Sequence, residues 1–189
     1  WYVSEFKQAQ ISINFNNYKL STIHDVYDEA CKLSIERGLR VTGSELVGLI
    51  PLEALLMAGK HYLKKQKRTY GVPEIDIINC AVQSLGLNDV TKFDINKKIV
   101  EYAVKKEVRK LISLSTEEFI SELSRNSPAP GGGSVSALIG ALGASLGSMV
   151  ASLSYEKKEL FNNRSITGAI GIETQNLKDK LSWLVDEDT

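Results

Sequence analysis

Cysteine, methionine, tryptophan and histidine each occur only twice in these 189 residues, and proline four times. Each scarcity closes off a class of protein. Cys31 and Cys80 are too few to staple a small secreted fold, and neither sits in a His–Cys pattern of ligand spacing, so no disulfide framework and no metal site is expected. A reduced, cytoplasmic setting fits them best. A dominant charge is missing too: 23 Lys and Arg balance 23 Asp and Glu, leaving no net field to gather phosphate backbones, so nucleic acid is not an expected partner. Residues Trp1 to Phe6 bring no initiator Met, no basic stretch and no apolar run, which argues against a signal peptide. The start reads as a cut in a longer chain, as does the end at Val185 to Thr189.

What is present is an ordinary core-forming balance, 43% hydrophobic and 24% charged, with length for one well-cored domain or two small ones. Ala9, Ile11, Ile13 and Phe15 alternate with polar residues, the period of a half-buried strand. Ser21 is placed to cap a helix running to about Arg37 with Ile23, Val26, Tyr27, Ala30 and Leu33 inward, and Gly38 to stop it. Leu39 to Ile50 reads as a strand leading into a loop punctuated by Gly43 and Gly48, and Pro51 opens a helix to about Gln66 that buries Leu52, Leu55, Leu56 and Tyr62. A further helix, Pro73 to Leu85, buries Ile75, Ile78, Ala81 and Val82 and stops at Gly86; another spans about Ile95 to Val104. Strand, helix, strand, loop, helix is the grammar of a sheet with packed helices. After the charged stretch at 105–110 strand signals cease, and Ser115 with Glu118 forms a capping box for a helix carrying Phe119, Ile120 and Leu123.

The most distinctive segment is Ser127-Pro128-Ala129-Pro130-Gly131-Gly132-Gly133-Ser134, followed by about twenty uncharged residues from Val135 to Ser154. The prolines forbid helix before it, and Ser134 is placed to cap the helix after it. Gly140, Gly143, Ala144 and Gly147 offer small faces for a close helix neighbour. The triple-glycine run feeding a helix suits an anionic or polar ligand edge. Read from composition alone, it is equally a flexible linker. The uncharged helix is long enough to span a membrane, yet it has no aromatic belts and a charged helix adjoins it, so a buried core helix is the better reading. A last amphipathic helix, about Glu173 to Val185, ends in Asp186 and Asp188, carboxylates two residues apart. Such a pair serves as general acid or base when carried into an apolar bundle, and otherwise is a solvated helix end. Lys64, Lys65, Lys67 and Arg68 complement a helix C-terminus, or bind a polyanionic tail. His24 and His61 have no catalytic partner nearby in sequence and read as structural. Glu45, on a loop after a strand with Gly43 and Gly48 either side, is the better site candidate.

Arg40 to Pro51 (RVTGSELVGLIP) resembles the C-terminal subdomain of the glutamate formimidoyltransferase family, with Gln8 to Ser12 and Asn16-Asn17-Tyr18 before it and Ser84 to Leu87 after it in the same order. Ser127 to Ser134 with Gly140 to Ala144 resembles the opening of the formimidoyltetrahydrofolate cyclodeaminase family, and Leu184 to Asp188 its next helical motif. The order is that of the bifunctional formimidoyltransferase-cyclodeaminase family. The resemblance implies transfer of a formimino group from N-formimino-L-glutamate to tetrahydrofolate, which serves as substrate, then closure to methenyltetrahydrofolate with loss of ammonia. It implies no metal, a cytosolic setting and a homo-oligomer.

By the same resemblance Gly43, Ser44 and Glu45 form one wall of a folate cleft, Glu45 standing where relatives can carry Gln, while Ser127, Gly131, Gly132, Gly133 and Ser134 line a second folate site. The catalytic carboxylate is Asp186 or Asp188, with the choice left open. The family's catalytic His belongs to a subdomain outside this sequence. The expectation is therefore an α+β or α/β subdomain over 1–104, a linker at 105–114, and the start of an all-α helical bundle over 115–189, inactive as it stands. Two rival readings are a non-catalytic helical scaffold and a membrane-anchored binding module, each built on the helix at 135–154.

Overall fold

A computed structural model describes residues 2–104 and 110–187. Among the described residues the structure is mostly helical, 62%, against a single two-stranded sheet, so packing between helices, not a sheet, carries this helix-rich α+β fold. Strands β1 (Tyr2–Val3) and β2 (Gln8–Ala9) pair antiparallel, Tyr2 opposite Ala9. The strand expected over residues 9–15 goes no further than Ala9, and Ile11 and Ile13 are exposed. The strand expected from Leu39 to Ile50 is likewise absent apart from one isolated parallel bridge, Ile50 to Ile99. The run at 9–15 has the right side-chain alternation but, like the start of the 39–50 segment, no neighbour on which to build a ladder, and an unpartnered strand leaves its backbone groups to water.

Helix α1 (Ile23–Ile35) is capped by Thr22, not Ser21: the Thr22 hydroxyl oxygen accepts the Asp25 N–H at 3.2 Å. It stops as expected at Gly38, whose φ of +70° suits glycine, while the Leu39 N–H reaches back to the Ser34 carbonyl at 2.9 Å. Helix α2 (Leu52–Lys65) follows Pro51, and α3 (Glu74–Ser84) follows Pro73. Their seam is close because Gly59 faces Ile77: a Cβ at Gly59 would lie 2.1 Å from the Ile77 carbonyl oxygen. The first core forms here, with Leu55, Ala58, Ile78, Ala81 and Ile99 fully buried. Each such Leu or Ile contributes about 2 kcal/mol by its removal from water. Ile77 takes the inward position expected of Ile75, which is 43% exposed. The helix expected over Ile95 to Val104 is two short ones, α4 (Ile95–Lys98) and α5 (Val100–Ala103), because Ile99 turns extended to bridge Ile50.

The charged stretch from Lys105 to Arg109, half of the expected linker at 105–114, lies outside the described residues. Beyond it, α6 (Thr116–Leu123) carries the expected capping box: the Ser115 hydroxyl oxygen accepts the Glu118 N–H, and the Glu118 carboxylate accepts the Ser115 N–H. Phe119 is buried beneath it. Helices α7 (Gly132–Glu156) and α8 (Arg164–Glu187) then form a long antiparallel pair, α8 starting a little over two turns before the expected Glu173. A Cβ at Gly140 would meet Leu181, one at Gly147 would meet Thr174, and one at Gly168 would meet Tyr155, which sets the register.

The inward face of α7 is small throughout: Ser134, Ala137, Ala141, Ala144, Ser148 and Ala151 are buried. Six of its large apolar residues, Ile139, Leu142, Leu146, Met149, Val150 and Leu153, each remain more than half exposed. The small face allows the close approach that the glycine spacing suggested, although Gly143 itself points into open space. By length and composition α7 is also the one described helix able to cross a membrane.

Candidate functional site

Of the first candidate group, the loop at Gly43–Glu45 is fixed by the C-terminal end of α3. The Ser44 N–H donates to the Gly86 carbonyl at 3.0 Å and the Ser44 hydroxyl to the Leu85 carbonyl at 2.5 Å. Gly43 and Gly86 nearly touch, since a Cβ on Gly86 would stand 2.8 Å from the Gly43 Cα, and one on Gly43 would stand 2.6 Å from the Asp89 Cβ. The glycines are thus needed for backbone contact, and the Ser44 hydroxyl is already committed. Glu45 alone of the three presents an exposed side chain.

The second group converges on the start of α7. The helix begins at Gly132 with Gly131 as its N-cap, and no side chain caps it. Ser134, expected to be the cap, lies inside the first turn. Its hydroxyl is fully buried and has no hydrogen-bond partner. Gly132 and Gly133 are exposed, a Cβ on Gly132 would meet nothing, and Ser127 is an exposed residue whose hydroxyl accepts the Ala129 N–H at 3.3 Å. By the register of the pair, the last turn of α8 reaches the same end. There Val185 is fully buried among Phe119 and Ala137, and one carboxylate oxygen of the neighbouring Asp186 is buried without a partner. Asp188 lies outside the described residues. A helix N-terminus with spare N–H groups, an idle hydroxyl and an idle carboxyl oxygen are the donors and acceptor for a polar, nitrogen-bearing ligand.

Three features escaped the sequence reading. Gly71, in the loop between α2 and α3, presses against the Gly171 backbone of α8 and accepts hydrogen bonds from the Ser148 and Ser152 hydroxyls at 3.3 and 3.2 Å. Gln175 donates to Ser148 at 2.8 Å, and Arg68 of the basic cluster lies 3.8 Å from Glu156, so the first core and the helix pair are joined there. The serine spacing, four apart on an otherwise apolar helix, was the available signal.

The histidines do not stand alone: His24 and His61 stack with ring centroids 4.4 Å apart, and Asp28 lies 3.0 Å from the His61 Nε2. Nothing in the sequence pairs them, because the contact is made across two helices. The third feature is a groove of about 320 Å³ between α2 and α3, lined by Gln66, Arg68, Asn79 and Gln83 among others, which takes in Arg68 of the basic cluster but none of the residues expected at the two folate sites. No group of three or more His, Cys, Asp or Glu able to hold a metal occurs among the described residues.

A helix-rich α+β region is thus locked to a helix pair, and unsatisfied polar groups lie toward the end of that pair. The chain belongs to the formiminotransferase family: the formiminotransferase domain matches residues 1–105, and formiminotransferase-cyclodeaminase matches residues 115–189. It is similar to formimidoyltransferase-cyclodeaminase of Dictyostelium discoideum, 41% identical over 84% of the chain and 30% of that protein. With the Rattus norvegicus protein of the same name it is 37% identical over its whole length, 35% of that relative. Glutamate formimidoyltransferase of Thermoplasma acidophilum is 31% identical over 34% of the chain and 21% of that protein. The chain therefore spans about a third of the length of the bifunctional relatives it matches.

Proposed function

We propose that this chain serves folate-dependent one-carbon chemistry in two adjoining parts. Residues 1–104 contribute to transfer of a formimino group from N-formimino-L-glutamate to tetrahydrofolate. Residues 115–189, across a linker at 105–114, contribute to closing the product to 5,10-methenyltetrahydrofolate. The observation that supports the reading is the presence, toward one end of α7 and α8, of a buried unpartnered Ser134 hydroxyl and a buried unpartnered Asp186 carboxylate oxygen. Groups so placed cost free energy unless a ligand completes them.

The chemistry follows from that placement. N10 of the folate attacks the carbon of the protonated formimino group on N5, forming a five-membered ring that bears an amino group. A carboxylate beside it accepts the N10 proton and returns it to that amino group, which leaves as ammonia while the ring nitrogens share the positive charge. Asp186 is assigned this acid–base role, Ser134 and the N–H groups of Gly132 and Gly133 hold the ligand's polar edge, and Gly131 opens the turn. Gly43, Ser44 and Glu45 form the wall of the other folate site, with Ser44 anchoring the loop. The chemistry calls on no metal, and the setting proposed is a cytoplasmic homo-oligomer.

The test is Asp186→Asn in the polypeptide at its relatives' length. Ammonia release is expected to fall at least a hundredfold with formimino transfer intact; loss of transfer alone contradicts the assignment. Helix assembly without catalysis is the second reading, supported by the exposed apolar stripe on α7. Calorimetric titration with tetrahydrofolate separates the two, since a scaffold gives no binding heat.

A further inference from the structure

Outside these sites, the densest cluster of titratable groups lies between α1 and α2. His24, in the first turn of α1, is 8% exposed, and its Nδ1 has no hydrogen-bond partner. One face of its ring is covered by His61 of α2, tilted 32° at 4.4 Å. The Asp28 carboxylate, one turn along α1, takes three donors from α2: the His61 Nε2 at 3.0 Å, the Tyr62 hydroxyl at 3.2 Å and the Lys65 ammonium at 2.8 Å. Asp28 thus has three of its roughly four acceptor sites engaged by α2, and it makes no hydrogen bond to His24. The nearby Asp25 carboxylate accepts from the Thr22 hydroxyl at 2.6 Å. Tyr27 and Cys31 complete the α1 side of the cluster, Tyr27 pushed up to about 12 by burial and Cys31 also raised by burial.

We propose that the stacked imidazoles of His24 and His61 are an acid-operated clasp, holding α1 against α2 while His24 is neutral and releasing it when His24 takes up a proton. An imidazolium at His24 sits in a desolvated pocket, against a second imidazole, at the positive end of a helix dipole. Burial and the charge of His61 hold its ionisation below the ordinary histidine value, and the opposing pull of Asp25 and Asp28 does not overcome them. The docked state therefore binds fewer protons than the released one. Docking is full above the free histidine range near pH 6.5 and weakens as pH falls toward the depressed value. The loop at Gly43–Glu45 keeps its own ties to α3, so release is confined to α1.

Amide hydrogen exchange on the intact chain tests the clasp, with protection factors corrected for the intrinsic pH dependence. Between pH 7.5 and 5.5, protection of residues 23–35 is expected to fall by up to about tenfold per unit of depression. That of α7 and α8 stays level. His24→Phe keeps the stacked ring without the titrating nitrogen and should make α1 protection independent of pH. His24→Gln, likewise free of a titrating nitrogen, serves the same comparison if the first variant does not fold. Protection of α1 that is level in the unaltered chain, that falls equally in α7 and α8, or that still falls in the folded His24 variant overturns the proposal.

Discussion

Replacing Gly71 by alanine should prise the helix pair from the first core. The added Cβ would stand 2.6 Å from the Gly171 carbonyl carbon and 2.7 Å from the Ile172 nitrogen, both in the backbone of α8. Ordinary contact needs a retreat of about 1 Å, which a helix backbone makes only as a body. That retreat stretches the Ser148 and Ser152 bonds to the Gly71 carbonyl beyond useful range. Two neutral hydrogen bonds cost about 1 kcal/mol each and overpacking about 1–3 kcal/mol, offset by about 0.5–1 kcal/mol from the stiffer unfolded chain. The net loss is about 2–4 kcal/mol.

With a urea m-value of about 2–3 kcal/mol/M, the midpoint drops by roughly 1 M. Trp183 on α8 reports the transition by fluorescence once Trp1 is replaced by Phe. Gly143→Ala is the matched control. Its Cβ meets nothing within 4 Å, so the same change inside α7 should stabilise by about 1 kcal/mol. A Gly71→Ala midpoint within about 0.2 M of the parent would refute the close-contact reasoning.

Two further outcomes are expected. Ser115→Ala removes the cap of α6, costing about 1 kcal/mol in thermal or urea unfolding, whereas Ser115→Asp should retain most of the stability. Burial alone would raise the Asp28 carboxyl, but hydrogen bonds from Lys65, His61 and Tyr62 outweigh it and hold the group below its ordinary value. Its contribution is therefore present above about pH 4 and lost as pH falls through the depressed value. Asp28→Asn should cost about 1 kcal/mol at pH 7, and the two unfolding curves should converge once pH falls below the depressed value.

Capping chemistry was legible in the sequence because it is local. Gly38 and the Ser115–Glu118 box do what their spacing implies, whereas two expected caps were missed: Ser21 gives way to Thr22, and Ser134 to Gly131. Strands were misread because alternation reports a face, not a partner: Ile11 and Ile13 alternate correctly and bury against nothing. At the candidate site, the glycine run and the terminal aspartates were visible as residue types. Ser134 was not visible as a buried, idle hydroxyl, since that depends on where α8 ends. The Gly71 contact and the His24–His61 stack were hidden for the same reason: each joins elements dozens of residues apart, and pattern within a window carries no register between helices.

The outer stripe of α7 has a practical consequence. From Ile139 to Leu153 it lines up greasy side chains along one flank, with no acid or base between Arg125 and Glu156 to interrupt them. Molecules bearing such a flank attract one another more as salt drives apolar groups out of water. Sulfate should therefore precipitate this chain early, and a leucine-to-lysine change at Leu146 should delay the cloud point without touching the inward alanines.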